Sequence, residues 1–152
     1  MKYEELIEQP CSITRPMTVL GDRWTFLIVK QSFAGVRRFE DFLTSLGISR
    51  GLLSERLDRL VEHGILDREP YKDERRTRME YRLTTKGRDL YPILIAIRDW
   101  GDTYMAPDGP PVHYRHAGCG GEAHVHITCD KCGEELSAHD VAPEPGTGAV
   151  RA

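Results

Sequence analysis

The chain has 152 residues, of which 39% are hydrophobic and 30% charged, a balance that excludes a disordered or low-complexity polypeptide. No apolar run reaches the ~20 residues of a membrane span, and no basic-then-apolar leader opens the chain. A cytoplasmic protein without membrane attachment is expected, with Cys11, Cys119, Cys129 and Cys132 reduced. The net charge of −3 argues against a general polyanion binder, yet the charge is unevenly spread. Residues 37–88 hold 13 Lys and Arg against 10 Asp and Glu, whereas residues 106–152 hold 3 against 7. Arginine outnumbers lysine 16 to 5, and its planar fork suits phosphate and guanine.

Residues 3–8 read as a short helix stopped by Pro10. Residues 12–20 can form another, with Met17 and Leu20 apolar and Gly21 as the break. Asp22 then caps a longer helix, DRWTFLIVKQSF, that ends at Gly35 and should turn Trp24, Leu27 and Ile28 to the core. In RRFEDFLTSLG, residues 37–47, Phe39, Phe42, Leu43 and Leu46 recur at helical spacing and Gly47 supplies a turn.

The segment ISRGLLSERLDRLVEHG, residues 48–64, has the clearest helical signature. Ser49 is its N-cap, Leu53, Leu57, Leu60 and Val61 form one apolar stripe, and Gly64 stands where a left-handed cap is wanted. The opposite face carries Arg50, Ser54, Glu55, Asp58 and Arg59, with Arg56 at its edge. Two short helices joined by a tight glycine turn describe a helix-turn-helix or, more plainly, an αα-hairpin.

The continuation favours the first. In residues 65–84, Met79, Tyr81 and Leu83 alternate with Glu80, Arg82 and Thr84, as a half-buried strand would, and the preceding stretch is a shorter, less regular strand. The polar YKDERRTR between them reads as a charged hairpin tip. A helix-turn-helix followed by such a ribbon is a winged helix. Arg50 and Ser54, with Ser49, Arg37, Arg38, Arg56 and Arg59, are then the candidates to face double-stranded DNA. Lys72, Arg75, Arg76 and Arg78 would reach phosphates or a minor groove from the wing.

Thr84 or Thr85 should cap a helix running to about Tyr104, with Leu90, Leu94, Ile97 and Tyr104 on one stripe and Ile93, Ile95 and Trp100 widening it. Pro92 must kink this helix or mark a later start. So broad an apolar surface implies a partner helix, and a homodimer is expected through residues 3–9 and 90–104.

These residues resemble a known family. Residues 11–68, followed by EYRLTTKGRDLYPILIAIRDWG, are similar to the HxlR-type winged-helix transcriptional regulators. The marks are Cys11, Gly-Asp-Arg-Trp at 21–24, Arg-Arg-Phe at 37–39 and Leu-Thr-Thr-Lys-Gly at 83–87. The resemblance implies a dimeric bacterial DNA-binding regulator, not an enzyme, whose N- and C-terminal helices build the dimer. It also implies a sensing role for Cys11 toward a small-molecule or redox effector; Arg15 could help lower its thiol pKa. The alternative for Cys11 is a small side chain at the dimer seam.

Beyond a Pro/Gly-rich linker at 106–115 lies an appendix that the resemblance does not cover. His116-x2-Cys119 and Cys129-x2-Cys132-Gly133 are two ligand pairs at the spacing of a structural zinc site, one ion per chain. His113, His124, His126 or His139 could replace His116 as the fourth ligand. Ala123, Val125 and Ile127 alternate with His124, His126 and Thr128 as a short strand would. The expected architecture is therefore mainly α with a small β-hairpin (α+β). Residues 1–105 form a winged helix-turn-helix with dimerisation helices, 106–141 a zinc-ribbon-like appendix, and 142–152 a disordered tail. The expected function is that of a sequence-specific transcriptional regulator, a homodimeric repressor on an inverted-repeat operator. The alternative is a winged-helix and zinc-ribbon adaptor for protein or RNA.

Overall fold

The computed structural model describes residues 7–73 and 76–148. The elements run α1 (Thr14–Leu20), α2 (Arg23–Phe33), α3 (Phe39–Leu46), α4 (Arg50–Glu62), β1 (Leu66–Asp73), β2 (Arg76–Leu83), α5 (Thr85–Arg88) and α6 (Tyr91–Met105). Most of the expected helix over residues 3–8, and position 75 of the wing, lie outside the described residues.

The chain divides into two compact units, Met1–Leu90 and Tyr91–Ala152. In the first, the core is built where α2, α3, α4 and the hairpin converge. Ile28, Phe42, Leu53, Leu57, Leu60 and Leu66 lose all contact with solvent there. Burial of each such side chain contributes about 1.5–3 kcal/mol, so the stripe on α4 is its main anchorage. The stripe on α2 is rotated from the expected one: Thr25, Ile28 and Val29 are buried, while Leu27 is exposed. Asp22 sets this rotation. Its Oδ1 accepts from the backbone N–H groups of Trp24 and Thr25 at 3.0 and 3.1 Å, fixing where the first turn begins.

Gly47 closes α3 in the left-handed conformation, φ 61°, and turns the chain into α4. Ser49 caps α4, its hydroxyl oxygen accepting from the Leu52 N–H at 3.4 Å. The wing is a two-stranded antiparallel sheet in which Leu66 pairs with Leu83, Tyr71 with Arg78 and Asp73 with Arg76. Its strands are of equal length and absorb most of the stretch expected as a loose tip. The two-residue periodicity also fails at two points: Met79, expected on the buried face, is exposed, and Glu80 is buried next to Tyr81. Arg38 forms a β-bridge to Glu80, and the Tyr81 N–H donates to the Arg37 carbonyl at 2.8 Å. A third piece of backbone thus covers the strand, and Glu80 is held there by Arg82.

The expected long helix after the wing is two helices. Thr84 caps the four-residue α5, its hydroxyl accepting from the Gly87 N–H at 3.0 Å and donating to the Gly64 carbonyl at 2.7 Å. A Cβ on Gly87 would stand 2.2 Å from the Ile65 carbonyl oxygen, so only glycine permits this close approach. The next helix begins at Tyr91, and Pro92 lies in its first turn, where a missing N–H costs nothing.

In the second unit, α6 is joined to the appendix, where the sequence suggested grouping it with the winged half. Arg98 donates to the Ala123 carbonyl, and its guanidinium lies 5.2 Å from the Tyr114 ring centroid. The Val125 N–H donates to Asp99 Oδ2 at 3.2 Å. The segment around Val125 is not strand: its backbone is bonded to a helix side chain. Among the described residues, no helix is long and apolar enough to cross a membrane.

Asp22 yields a first expected outcome. Burial pushes its carboxyl pKa up, but the Arg56 side chain and the N–H groups of Thr25 and Trp24 more than reverse this and leave it depressed. A depressed folded-state pKa adds stability above the unfolded value of about 3.9, and that stability is lost as pH falls through the folded value. Asp22→Ala should cost about 1–2 kcal/mol at pH 7 through the lost cap and ion pair. Urea denaturation should show the difference from the parent chain shrinking below pH 4; a pH-independent difference would refute the assignment.

Candidate nucleic-acid interface

The exposed end of α4 follows from its core stripe. With Leu53, Leu57 and Leu60 buried, Ser49, Arg50, Gly51 and Ser54 lie on the exposed side at its N-terminus. Small side chains there keep the backbone accessible, and the helix dipole adds partial positive charge. Arg50 lies bidentate on Glu40, Nη1 and Nη2 each 2.8 Å from a carboxylate oxygen, with its guanidinium 5.8 Å from the Phe39 ring centroid. Both partners remain largely exposed, at 65% and 54%. The fork is therefore extended and oriented, in the geometry with which arginine meets the edge of guanine.

Two expected contacts are corrected. Arg56 turns inward and is only 16% exposed. Its Nε lies 3.0 Å from Asp22 Oδ1, and Glu55 takes another of its nitrogens. Arg59 donates to the Thr18 carbonyl and is half-buried. Both lie beside the apolar stripe, and long guanidinium side chains there reach back over the core edge to polar groups on α1 and at the head of α2. They fasten the helix in place. Its outer face instead carries Glu55 and Asp58, the latter paired with Arg68 of β1.

On the wing, Lys72, Arg76 and Arg78 are all exposed. They stand on paired strands, so the ribbon presents them at spacings set by the register. Asp73 lies 3.3 Å from Arg78 Nε and offsets part of that charge. Arg37 and Arg38 are exposed where the turn before α3 bridges to β2, with Arg38 over the Tyr71 ring at 4.6 Å. Glu40, Arg68 and Tyr71 are interface neighbours missing from the sequence reading. Each acts on a residue far along the chain, and local periodicity carries no signal of that.

Cys11 is half-buried and accepts from the Thr14 N–H at 3.4 Å. Its thiol pKa is lowered chiefly by Thr14 and by the Ile13 N–H, with Arg15 the smallest contributor. The Thr14 side chain makes the largest contribution, followed by the backbone N–H groups of Thr14 and Ile13, and the expected arginine adds least. In the second unit, His116 Nδ1 is 3.2 Å from Cys119 Sγ, and Cys129 is hydrogen-bonded to Cys132. Among the described residues, no three His, Cys, Asp or Glu side chains form a group able to hold a metal ion.

Residues 19–109 match the family model described as HxlR-like helix-turn-helix. The chain is 47% identical over 138 residues to an HTH-type transcriptional regulator of Mycobacterium tuberculosis, covering 90% of this chain and 87% of that one. An HTH-type regulator of Synechocystis is 36% identical over 96 residues, 62% of this chain and 70% of the other. The crystal structure of PA1607, a candidate transcription factor, superposes with a TM-score of 0.84 at 38% identity, covering 93% of this chain and 99% of that chain. The reduced form of the regulator YodB from B. subtilis superposes with a TM-score of 0.55 at 28% identity, covering 64% and 96%. Winged fold, exposed helix end and matched residues agree: the chain belongs to the HxlR-like helix-turn-helix family of transcriptional regulators.

Proposed function

We propose that this regulator acts in the cytoplasm as a homodimeric repressor, setting two copies of α4 into successive major-groove half-sites of an inverted-repeat operator. The observation that carries the reading is the exposed leading turn of α4, with Arg50 65% exposed and its fork paired to Glu40, in the same winged unit as the exposed basic residues of the wing. Arg50 and Ser54 read base edges, whereas Lys72, Arg76, Arg78 and the Arg37–Arg38 pair hold the backbone. Dimerisation is supported by α6, where Ile93, Ile97, Trp100 and Tyr104 are 44–72% exposed along a single stripe. A second copy would cover that stripe, and two-fold symmetry suits half-sites about 34 Å apart. Repression then requires only that the bound dimer occupy DNA that polymerase needs. Cys11, in its ring of N–H donors, is the proposed sensing thiol. Among the structural neighbours, HypR is named a redox regulator.

Arg50→Ala should weaken operator binding by about 1–3 kcal/mol and leave non-specific binding nearly unchanged, read by fluorescence anisotropy on operator and scrambled duplexes. Glu40→Ala should act oppositely. It frees Arg50 from an exposed pair worth about 0.2–1 kcal/mol, so operator affinity should rise up to about fivefold. In an Arg50→Ala background that gain should vanish; an equal gain in both backgrounds would show that Glu40 acts only by general repulsion of phosphate.

Ile97→Glu should convert the dimer to monomer or unfold it, because it places a charge in the seam. Sedimentation of the unmodified chain as a monomer at micromolar concentration would eliminate the dimer. For Cys11, alkylation rate against pH should show a midpoint below the ~8.5 of a free thiol, with peptide mass spectrometry identifying the site. A midpoint at or above that value would remove the sensing role.

A further inference from the structure

The appendix contains a structural repeat. Shifting the numbering by 13 carries His116, Cys119, Gly120 and Glu122 onto Cys129, Cys132, Gly133 and Glu135. The hydrogen bonds follow the same shift. His116 N–H donates to Gly121 O at 2.7 Å and Cys129 N–H to Glu134 O at 2.9 Å; Ala123 N–H donates to Tyr114 O at 2.9 Å and Leu136 N–H to Ile127 O at 2.8 Å. The glycine N–H returns to the first residue of each turn, Gly120 to His116 at 2.8 Å and Gly133 to Cys129 at 2.9 Å. Both glycines have positive φ, 76° and 74°. Each turn is closed below by a β-bridge and by a His–Glu pair, His113 with Glu122 and His126 with Glu135.

A repeat so regular places the same thing twice, and what it places is a pair of soft donors. In the first turn they are His116 Nδ1 and Cys119 Sγ, 3.2 Å apart. In the second they are the sulfurs of Cys129 and Cys132, with the N–H groups of Lys131 and Cys132 directed at Cys129. Three of the competing histidines are committed elsewhere: His113 to Glu122, His126 to Glu135, and His124 beside Asp99, while the backbone N–H of the fourth, His139, donates to Ser137 Oγ at 3.3 Å. Of these five described histidines, His116 is the one set against a thiol.

The appendix also lacks another source of stability. No described residue between 106 and 148 is buried, and Ile127 is 64% exposed. A segment of this size without an apolar core needs a cross-link or a metal to hold its shape. The alignment with the M. tuberculosis regulator covers 90% of this chain, so it reaches well into the appendix.

We propose that the two equivalent turns are half-sites for one zinc-class divalent cation, bound by His116 Nδ1 and the sulfurs of Cys119, Cys129 and Cys132. The ion completes the site, drawing the two donor pairs together into a tetrahedral shell. The three thiols release their protons to solvent as the metal–sulfur bonds form, so uptake is pH-dependent. All four positions are protein ligands, and the role is structural.

The test uses the full-length chain, expressed without added metal and purified under reducing conditions. Elemental analysis should find about one zinc per chain. Cobalt(II) replacement should give intense thiolate-to-cobalt absorption and the d–d bands of a tetrahedral centre. His116→Ala and the Cys129→Ser, Cys132→Ser double variant should lose that spectrum, with an unchanged helical circular dichroism signal from the winged unit. His113→Ala and His124→Ala should keep it. Metal-free protein, one ion per two chains, a Cys129–Cys132 disulfide, or a spectrum that survives loss of His116 would each overturn the assignment. None of these outcomes depends on DNA binding.

Discussion

The Asp22 carboxylate joins two helices of the winged unit at one point. One oxygen caps the start of α2 by accepting two backbone N–H groups, and the same carboxylate receives the Arg56 guanidinium from α4. The helix proposed to meet DNA is thereby keyed to the first turn of another helix through a pair 34 residues apart in sequence. Burial of the leucine stripe anchors α4, and the charged fork seated on a cap adds a directional constraint, because a half-buried guanidinium that loses its partner has no cheap alternative. The angle at which Arg50 and Ser54 leave the surface follows from this pairing.

Charge on the interface is arranged by neutralising pairs. Arg50 has Glu40, Arg68 has Asp58, Arg78 has Asp73 and Arg82 has Glu69 and Glu80. An unspecific polyanion must break such pairs and gains only phosphate contacts in return. In the proposed binding mode a correct base sequence would offer Arg50 a bidentate partner in place of the one it gives up. Paired acidic groups would then sharpen discrimination at some expense of raw affinity, in keeping with a net charge of −3.

The second unit is organised by α6. One part of its circumference holds Arg98 and Asp99, which bind the appendix backbone at Ala123 and Val125. Another bears the exposed stripe from Ile93 to Tyr104. Appendix contacts and stripe thus lie on one helix, so the proposed metal-driven ordering of the appendix and the proposed pairing of α6 would act on the same element.

The local grammar of this protein is written in its sequence: Ser49, Asp22 and Thr84 at their caps, Gly47 at the turn, the Leu53–Leu57–Leu60 stripe, the Tyr81–Leu83 alternation and the paired ligand spacings. Each is a short-range effect, decided within one or two turns of chain, so single-sequence periodicity can register it. The family likeness rests on the same residues. Tertiary structure decided which arginines of α4 face outward, since Arg56 and Arg59 answer to groups on α1 and α2. It decided that Glu80 is buried, because a backbone bridge from Arg38 covers it, and that Glu40 holds Arg50. It also placed His116 against a thiol, whereas His113, His124 and His126 stand beside carboxylates. In every such case the deciding partner lies across a turn or on another element, and a long polar side chain takes whichever partner folding brings within its reach.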